Sequence, residues 1–183
     1  MAEVFKTGMH YVIESSTDPE NDVMIALDSD NTQDPGLIPN MVKKIRNEKF
    51  DIVIASRFAK GGRMEGCPFF RSVLSVGVAW LLMALIRLPG VRDYSTFYRA
   101  YRLALLKKGL DRYGDYLFKG KGFAAICAML IKLGRLTSRI IEIPFVLRYD
   151  QKQGTSGMKI WKTMRGYFEL IYEYYATKKY QSV

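Results

Sequence analysis

The sequence is poor in the residues that build small metal centres and disulfide frameworks. Its 183 residues include one histidine and two cysteines. Cys67 and Cys127 lie far apart and form no CxxC pattern, so the sequence predicts neither a thiolate metal site nor a disulfide framework. We interpret both cysteines as packing thiols, which fits a reducing compartment.

The sequence also lacks a secretion signal and a long apolar span. The first sixteen residues have no basic segment followed by an apolar core, so they do not resemble a signal peptide. The most apolar run, residues 73–86, is about fourteen residues long, short of the roughly twenty that cross a bilayer. We expect this run to form a helix that either packs on a sheet or lies in a membrane interface.

Charge is unevenly distributed along the chain. Residues 1–55 contain 5 Lys/Arg and 10 Asp/Glu, whereas residues 56–183 contain 23 and 8. With 49% apolar and 13% aromatic residues, the chain can bury one sizeable core. The basic part suits nucleic acid, anionic lipid or a phosphorylated small molecule, and charge alone does not choose among them.

Apolar periodicity predicts an α/β fold. Residues 23–27 are a continuous apolar run of the kind found in buried parallel strands, and the run stops at Asp28-Ser29-Asp30. An amphipathic helix opens at Asp34-Pro35, and residues 50–55 form a second apolar run. This strand, helix, strand order is typical of a parallel crossover. Further helices are predicted at residues 4–15, 72–87 and 159–175, and a further strand at residues 140–147.

Asp28 and Asp30 form a candidate metal site. Two aspartates one residue apart at the end of a strand can turn their carboxylates toward one cation, because the chain is leaving the pleat there. Mg²⁺ or Mn²⁺ prefers such oxygen ligands and often shares them with phosphate oxygens. The alternative is a solvated turn that caps the next helix.

Five segments occur in an order that identifies a family. The first is LDSDNTQDP at residues 27–35, and the second is DIVIASR at residues 51–57, followed by Lys60-Gly61-Gly62, Arg71 and Ser75. The others are VRDYSTFYRA at residues 91–100, Glu142-Ile143-Pro144 with Arg148, and Gly154-Thr155-Ser156. Together they resemble the dolichol-phosphate mannose synthase group of inverting family-two glycosyltransferases.

The resemblance implies a GT-A fold, with a Rossmann-like, mostly parallel sheet and flanking helices. It implies inverting transfer of a sugar from a nucleotide-diphosphate donor, such as GDP-mannose or UDP-glucose, to a dolichyl or undecaprenyl phosphate. Asp28 and Asp30 would hold Mg²⁺ or Mn²⁺ against the donor diphosphate. Thr32 stands where many members carry Gln, so the resemblance supplies no third metal ligand there.

The resemblance also implies a set of phosphate ligands, because arginine forks suit phosphate oxygens. The candidates are Arg57, Arg71, Ser75, Arg99, Arg148, Ser156 and Lys159. Gly157 stands where relatives have Lys, and Lys152 and Lys159 are the nearest cations. Asp93, a third candidate catalytic carboxylate, would orient the sugar or the phosphate-binding arginines; the alternative is a loop-fixing ion pair with Arg92 or Arg99.

The expected organisation is a partial catalytic domain at residues 1–158 and an aromatic, basic helix at residues 159–183. About 27 residues precede Asp28, and no segment resembles the family's nucleotide-binding motifs, so we expect a fold incomplete at its N-terminus. Its open sheet edge would pair with a separate N-terminal polypeptide or a second copy. We expect a peripheral protein on the cytoplasmic face of a membrane. The alternative function is noncatalytic binding of anionic lipid or phosphate; no nucleic-acid-binding signature is present.

Overall fold

The computed structural model describes residues 2–120, 122–152 and 160–176, and in them the chain has an α/β fold. The helices are α1 (Ala2–Ser15), α2 (Ile38–Arg46), α3 (Phe69–Ile86), α4 (Leu103–Tyr113), α5 (Phe123–Gly134) and α6 (Ile160–Ala176). The strands are β1 (Val23–Ala26), β2 (Ile52–Ser56), β3 (Arg63–Glu65), β4 (Arg99–Arg102), β5 (Ile140–Pro144) and β6 (Val146–Arg148). Every element predicted from periodicity is present.

Four strands form the main sheet in the order β1-β4-β2-β5. Strand β5 lies parallel to β2, whereas β4 lies antiparallel to both β1 and β2. Strands β1 and β2 therefore run in the same direction, as their crossover predicted, but β4 separates them. The sheet is mixed, because three of its four strands run in one direction and β4 runs in the other.

Helices cover both faces of the sheet. Ile52 and Ile54 of β2 belong to the larger core, which the sheet shares with α1, α3, α4, α5 and α6. Val53 and Ala55 point to the opposite face and form a second core with Met41 of α2. Alternate residues of β2 are thus buried on both sides, which explains its continuous apolar run.

The predicted strand at residues 140–147 is two strands. The chain leaves the main sheet after Pro144, and β6 then pairs in parallel with β3 in a separate two-stranded sheet. Phe145, between the two strands, is buried. This break carries the chain from the main sheet to the cavity described below.

Helix α3 is longer than the apolar run that predicted it. By length and composition alone it is apolar enough to cross a membrane, and 22% of it is buried within the protein. Its buried residues are Val78, Ala79, Leu82 and Ile86, whereas Phe69, Phe70, Val73 and Trp80 are exposed. The helix therefore packs on the protein along one stripe and presents a wide apolar face outward.

Helix α6 shares the core of the remaining chain. Tyr167, Leu170 and Tyr174 are buried in the larger core, and the Tyr174 hydroxyl donates to the Ile86 carbonyl at 3.2 Å. Trp161 and Tyr172 are exposed. The described part of the predicted C-terminal appendage is therefore joined to the main domain by packing.

Candidate active site

The main sheet ends at a cavity of about 200 Å³. Strands β1, β2 and β5 run in one direction, so the residues that follow them, Asp28, Arg57 and Phe145, arrive at the same end and line this cavity. The loop before the antiparallel strand β4 reaches it as well and contributes Ser95. The cavity therefore lies where α/β sheets commonly bind ligands.

Asp28 lies on the cavity wall, where the Gln33 side chain fixes its orientation. The Gln33 side-chain amide donates to Asp28 Oδ2 at 2.8 Å, and its Oε1 accepts from the Asp28 backbone N–H, also at 2.8 Å. Burial and the neighbouring Asp30 charge raise the pKa of the Asp28 carboxyl above its ordinary value, outweighing Gln33 and nearby cations. Asp28 is thus held in a fixed orientation with its negative charge incompletely compensated.

Asp30 lines the same cavity, and neighbouring groups compensate more of its negative charge than that of Asp28. The Thr32 hydroxyl donates to Asp30 Oδ1 at 2.6 Å, and Lys152 Nζ forms an ion pair with Oδ2. Burial alone would raise the pKa of Asp30, but the bonds from Lys152 and Thr32 outweigh it and lower the pKa. Thr32 therefore positions a candidate metal ligand in this structure.

The two carboxylates fit a divalent cation that phosphate helps to bind. Asp28 and Asp30 face one cavity, and burial together with the Asp30 charge raises the pKa of Asp28, an effect that a bound cation would oppose. Among the residues that the structure describes, no group of three or more His, Cys, Asp or Glu is placed to hold a metal. Mg²⁺ commonly binds through one or two carboxylates with phosphate oxygens and water.

Arg57 and Asp93 form a buried, two-point ion pair at the cavity wall. Arg57 Nε donates to Asp93 Oδ2 at 2.8 Å, and NH2 donates to Oδ1 at 2.7 Å. NH1 also donates to the Ser75 hydroxyl at 3.2 Å, and NH2 to the Ser95 hydroxyl at 2.6 Å. Among the described residues, these bonds occupy four of the five N–H groups of the guanidinium, and the remaining NH1 hydrogen could be donated to a ligand.

Asp93 acts through Arg57 rather than on a ligand directly. It is fully buried and does not line the cavity, so of its two predicted roles the structure favours orienting a phosphate-binding arginine over orienting the sugar. Its ion-pair partner is Arg57, not Arg92 or Arg99 as the alternative supposed. Burial would raise the pKa of Asp93, but the Arg57 guanidinium outweighs burial and lowers it. Asp93 is a positioning residue.

Glu142 fixes the loop that carries Asp93. Its Oε1 accepts from the backbone N–H groups of Arg92 at 2.6 Å and Asp93 at 2.7 Å. Burial still raises the pKa of the Glu142 carboxyl. Asp93 itself accepts from the Thr96 N–H at 3.1 Å, so carboxylates brace the loop from both sides.

Arg71 and Ser75 reach the cavity from the first half of α3. Arg71 NH1 donates to the Tyr149 hydroxyl, and its guanidinium carbon lies 5.5 Å from the centroid of that ring. Both residues line the cavity, and their phosphate contacts stay predictions.

Two other predicted phosphate ligands lie elsewhere. Arg99 is fully buried, and its guanidinium donates to the carbonyls of Tyr94 at 2.7 Å and Ile126 at 3.2 Å. Arg148 does not line the cavity and pairs instead with Asp150 at 2.9 Å. Internal partners hold both guanidinium groups away from the cavity in this structure, and their phosphate contacts stay predictions. Ser156 and Lys159 lie outside the described residues.

Sequence reasoning missed three supporting residues. Gln33 holds Asp28, Tyr149 holds Arg71, and Tyr167 of α6 lines the cavity. The position of Gln33, three residues after Asp30, was a usable signal because side-chain amides commonly orient metal-binding carboxylates. Tyr149 and Tyr167 carry no local signal, since long-range packing brings them to the cavity.

The completed cavity has carboxylates on one wall and arginines on another. Asp28 and Asp30 suit a cation, whereas Arg57 and Arg71 suit an anion. A ligand that carries phosphate groups and binds with a divalent cation matches both walls.

Known proteins that resemble the chain include two polyprenyl-phosphate mannosyltransferases. No family model matches the chain. The chain is 32% identical over 162 residues to a dolichol-phosphate mannosyltransferase of Pyrococcus furiosus, an alignment that covers 87% of this chain and 44% of that protein. It is 29% identical over 138 residues to an undecaprenyl-phosphate mannosyltransferase of Micrococcus luteus, covering 75% and 53%. The matched region spans about half the length of these relatives.

Proposed function

The chain is related in sequence to the polyprenyl-phosphate sugar synthase group, and from this premise we propose that it forms the metal-binding and acceptor side of a GT-A glycosyltransferase. The reaction is transfer of a sugar from a nucleotide-diphosphate donor to a polyprenyl phosphate. One observation carries the proposal: Asp28 and Asp30 share a single cavity with Arg57 and Arg71.

The acceptor supplies its own nucleophile in this reaction. A phosphate monoester carries about −1.5 to −2 charge at neutral pH, so its oxygen needs no strong general base. That oxygen bonds to the anomeric carbon as the bond from this carbon to the donor diphosphate breaks. The bonding electrons leave with the diphosphate, and attack from the opposite face inverts the anomeric centre.

The task of the protein is to bring two anions together. Asp28 and Asp30 would hold Mg²⁺ or Mn²⁺, which when bound neutralises charge on the leaving diphosphate. Arg57 offers its remaining NH1 hydrogen to a phosphate oxygen, and Asp93 fixes the plane of that guanidinium. Arg71 and Ser75 add donors on the same wall. Alignment and charge neutralisation together provide the catalysis.

The polyprenyl chain requires an apolar surface next to the cavity. Leu74 and Val78 of α3, together with Met164 of α6, line the cavity beside its polar wall. The outer faces of the same helices expose Trp80 and Trp161. We propose that these faces lie in the interface of a membrane, with the protein peripheral on its cytoplasmic side.

A noncatalytic lipid- or phosphate-binding protein is the second candidate. The exposed apolar face of α3 favours it, since this face would bind membranes whether or not the cavity turns over a substrate. A partner polypeptide or a second copy at the edge strand β1 also stays a prediction, as does the absence of nucleic-acid binding.

Sugar transfer tests the proposal against this alternative. The chain is incubated with a polyprenyl phosphate, Mn²⁺ and radiolabelled GDP-mannose or UDP-glucose, alone and with any nucleotide-binding polypeptide encoded beside it. We expect label from at least one of the two donors to enter the solvent-extractable lipid. Lipid binding without transfer under all these conditions would contradict the proposal and favour the noncatalytic alternative.

A further inference from the structure

A lysine already occupies the candidate cation site. Lys152 Nζ forms an ion pair with Asp30 Oδ2, and the Thr32 hydroxyl donates to Oδ1 at 2.6 Å. The Lys152 side chain is 18% exposed, and the Asp30 side chain is 29% exposed. Both oxygens of one candidate metal ligand are therefore engaged by groups of the protein.

The Lys152 ammonium group has a second partner in the same position. Lys152 Nζ is 5.7 Å from the centroid of the Tyr149 ring, within the range of a cation–π contact. The same ring bears the Arg71 guanidinium, whose carbon is 5.5 Å from the centroid. The Tyr149 ring thus contacts two cations, and all three residues line the cavity.

We propose that Lys152 is an exchangeable counter-ion, which a divalent cation displaces from Asp30 and which then serves an anion bound in the same cavity. This inference rests on the proposed function, because it takes Asp28 and Asp30 as the metal ligands. It adds a residue that determines whether the metal binds preferentially alone or together with a diphosphate.

The exchange has opposite effects on the binding of the free cation and on the binding of the cation–diphosphate complex. A free divalent cation must break the Lys152 ion pair and then tolerate a like charge nearby, so Lys152 weakens its binding. A cation that arrives with a diphosphate brings negative charge, which the released ammonium can contact. Lys152 therefore favours the metal–diphosphate complex over the metal alone.

Binding of Mn²⁺, followed by electron paramagnetic resonance, tests this inference without any turnover. The variants are Lys152→Met, Lys152→Arg and the control Lys107→Met, which removes an exposed lysine of α4. We expect Lys152→Met to bind Mn²⁺ alone roughly fivefold more tightly, the size of a partly exposed ion pair. Lys152→Arg and Lys107→Met should match the wild type.

A second titration uses inorganic pyrophosphate as the anion. In the wild type, pyrophosphate should strengthen Mn²⁺ binding, and in Lys152→Met this gain should shrink by about the same fivefold factor. Lys152→Gln, which keeps a polar group at this position, should repeat both results if Lys152→Met fails to fold.

The outcomes separate this inference from the proposed metal site. Equal Mn²⁺ affinity for wild type and Lys152→Met, with binding that Asp28→Asn abolishes, would overturn the exchange and leave the metal site in place. Mn²⁺ binding that Asp28→Asn does not change, or no binding by any of the variants, would overturn both.

Discussion

The guanidinium group of Arg57 lies edge-on against the carboxylate of Asp93, with Nε–Oδ2 and NH2–Oδ1 distances of 2.8 and 2.7 Å. This two-point contact fixes the plane of Arg57 at the end of β2. Asp93 is fully buried, so the pair is shielded from water on the carboxylate side. The arginine that faces the cavity therefore owes its orientation to a residue that never reaches it.

Asp93→Asn should destabilise the protein strongly. The change leaves the Arg57 charge largely buried without its counter-ion, and removing one partner of a buried pair typically costs about 3–5 kcal/mol. Urea unfolding followed by circular dichroism measures the loss. Asp111→Asn, on the exposed side of α4, should change the unfolding free energy by less than about 0.5 kcal/mol. Similar stability for the two variants would contradict the structural role given to Asp93.

The same ion pair predicts how stability depends on pH. Burial favours the neutral form of Asp93, but Arg57 outweighs it, so the folded pKa of Asp93 lies below the unfolded value. This contribution to stability is present above the unfolded pKa, about 3.9, and is lost as pH falls through the folded pKa. The wild type should lose this contribution on acidification, whereas Asp93→Asn lacks it.

Asp28→Asn should have the opposite effect on stability. Burial and the Asp30 charge raise the pKa of Asp28, so ionised Asp28 opposes folding as pH rises from the unfolded pKa through the folded one. In metal-free buffer at pH 7, the substitution should raise the unfolding free energy by about 0.5–1 kcal/mol. The gain should shrink near pH 4, where Asp28 is partly neutral in the wild type. A loss of stability at pH 7 would show that the charge on Asp28 is already compensated.

Gly62 packs closely against the backbone of Ser56 and Arg57. A Cβ at this position would lie 2.4 Å from the Ser56 carbonyl oxygen and 2.9 Å from that of Arg57. Gly62→Ala should therefore cost about 1–3 kcal/mol in unfolding free energy, because backbone must move to admit the methyl group. In Gly77→Ala, the Cβ meets nothing within 4 Å. That substitution should stabilise α3 by about 0.5–1 kcal/mol, so the two variants should shift the urea midpoint in opposite directions.

The exposed tryptophans predict membrane binding. Trp80 is 67% exposed on α3, and Trp161 is 88% exposed on α6. The double variant Trp80→Ala/Trp161→Ala should reduce binding to anionic vesicles by about tenfold or more, since burial of one aromatic side chain contributes about 1.5–3 kcal/mol. Tyr11→Ala removes an equally exposed aromatic from α1 and should bind like the wild type. Vesicle sedimentation measures all three, and equal binding would contradict the interfacial position of α3 and α6.

Local patterns predicted the elements that present Asp28 and Asp30. Strands β1 and β2 appear as apolar runs because each is packed tightly in the sheet, and Asp34-Pro35 marks the start of the turn into α2. Two carboxylates at the end of such a strand already indicated a cation. These features depend on neighbours in sequence, so the sequence alone was sufficient for them.

No comparable local signal marks β4. Its four residues, Arg-Ala-Tyr-Arg, are polar at both ends, yet all four are buried. Arg99 and Arg102 are stabilised by carbonyl groups and by Asp51, contacts that join distant parts of the chain. An arginine that binds phosphate and one that binds carbonyls look alike in sequence, so local pattern could not predict the internal partners of Arg99.

The central claim is that a cation held by Asp28 and Asp30 supports sugar transfer in this cavity. Its most direct test is the rate of Mn²⁺-dependent transfer to polyprenyl phosphate by the wild type and by Asp28→Asn/Asp30→Asn. Both proteins are assayed under the conditions, with or without a partner polypeptide, in which the wild type turns over. The account predicts that the double variant stays folded and loses at least about 100-fold in rate, equivalent to about 2.7 kcal/mol of transition-state stabilisation. Asp111→Asn should retain the wild-type rate. Undiminished, Mn²⁺-dependent transfer by the double variant would contradict the account.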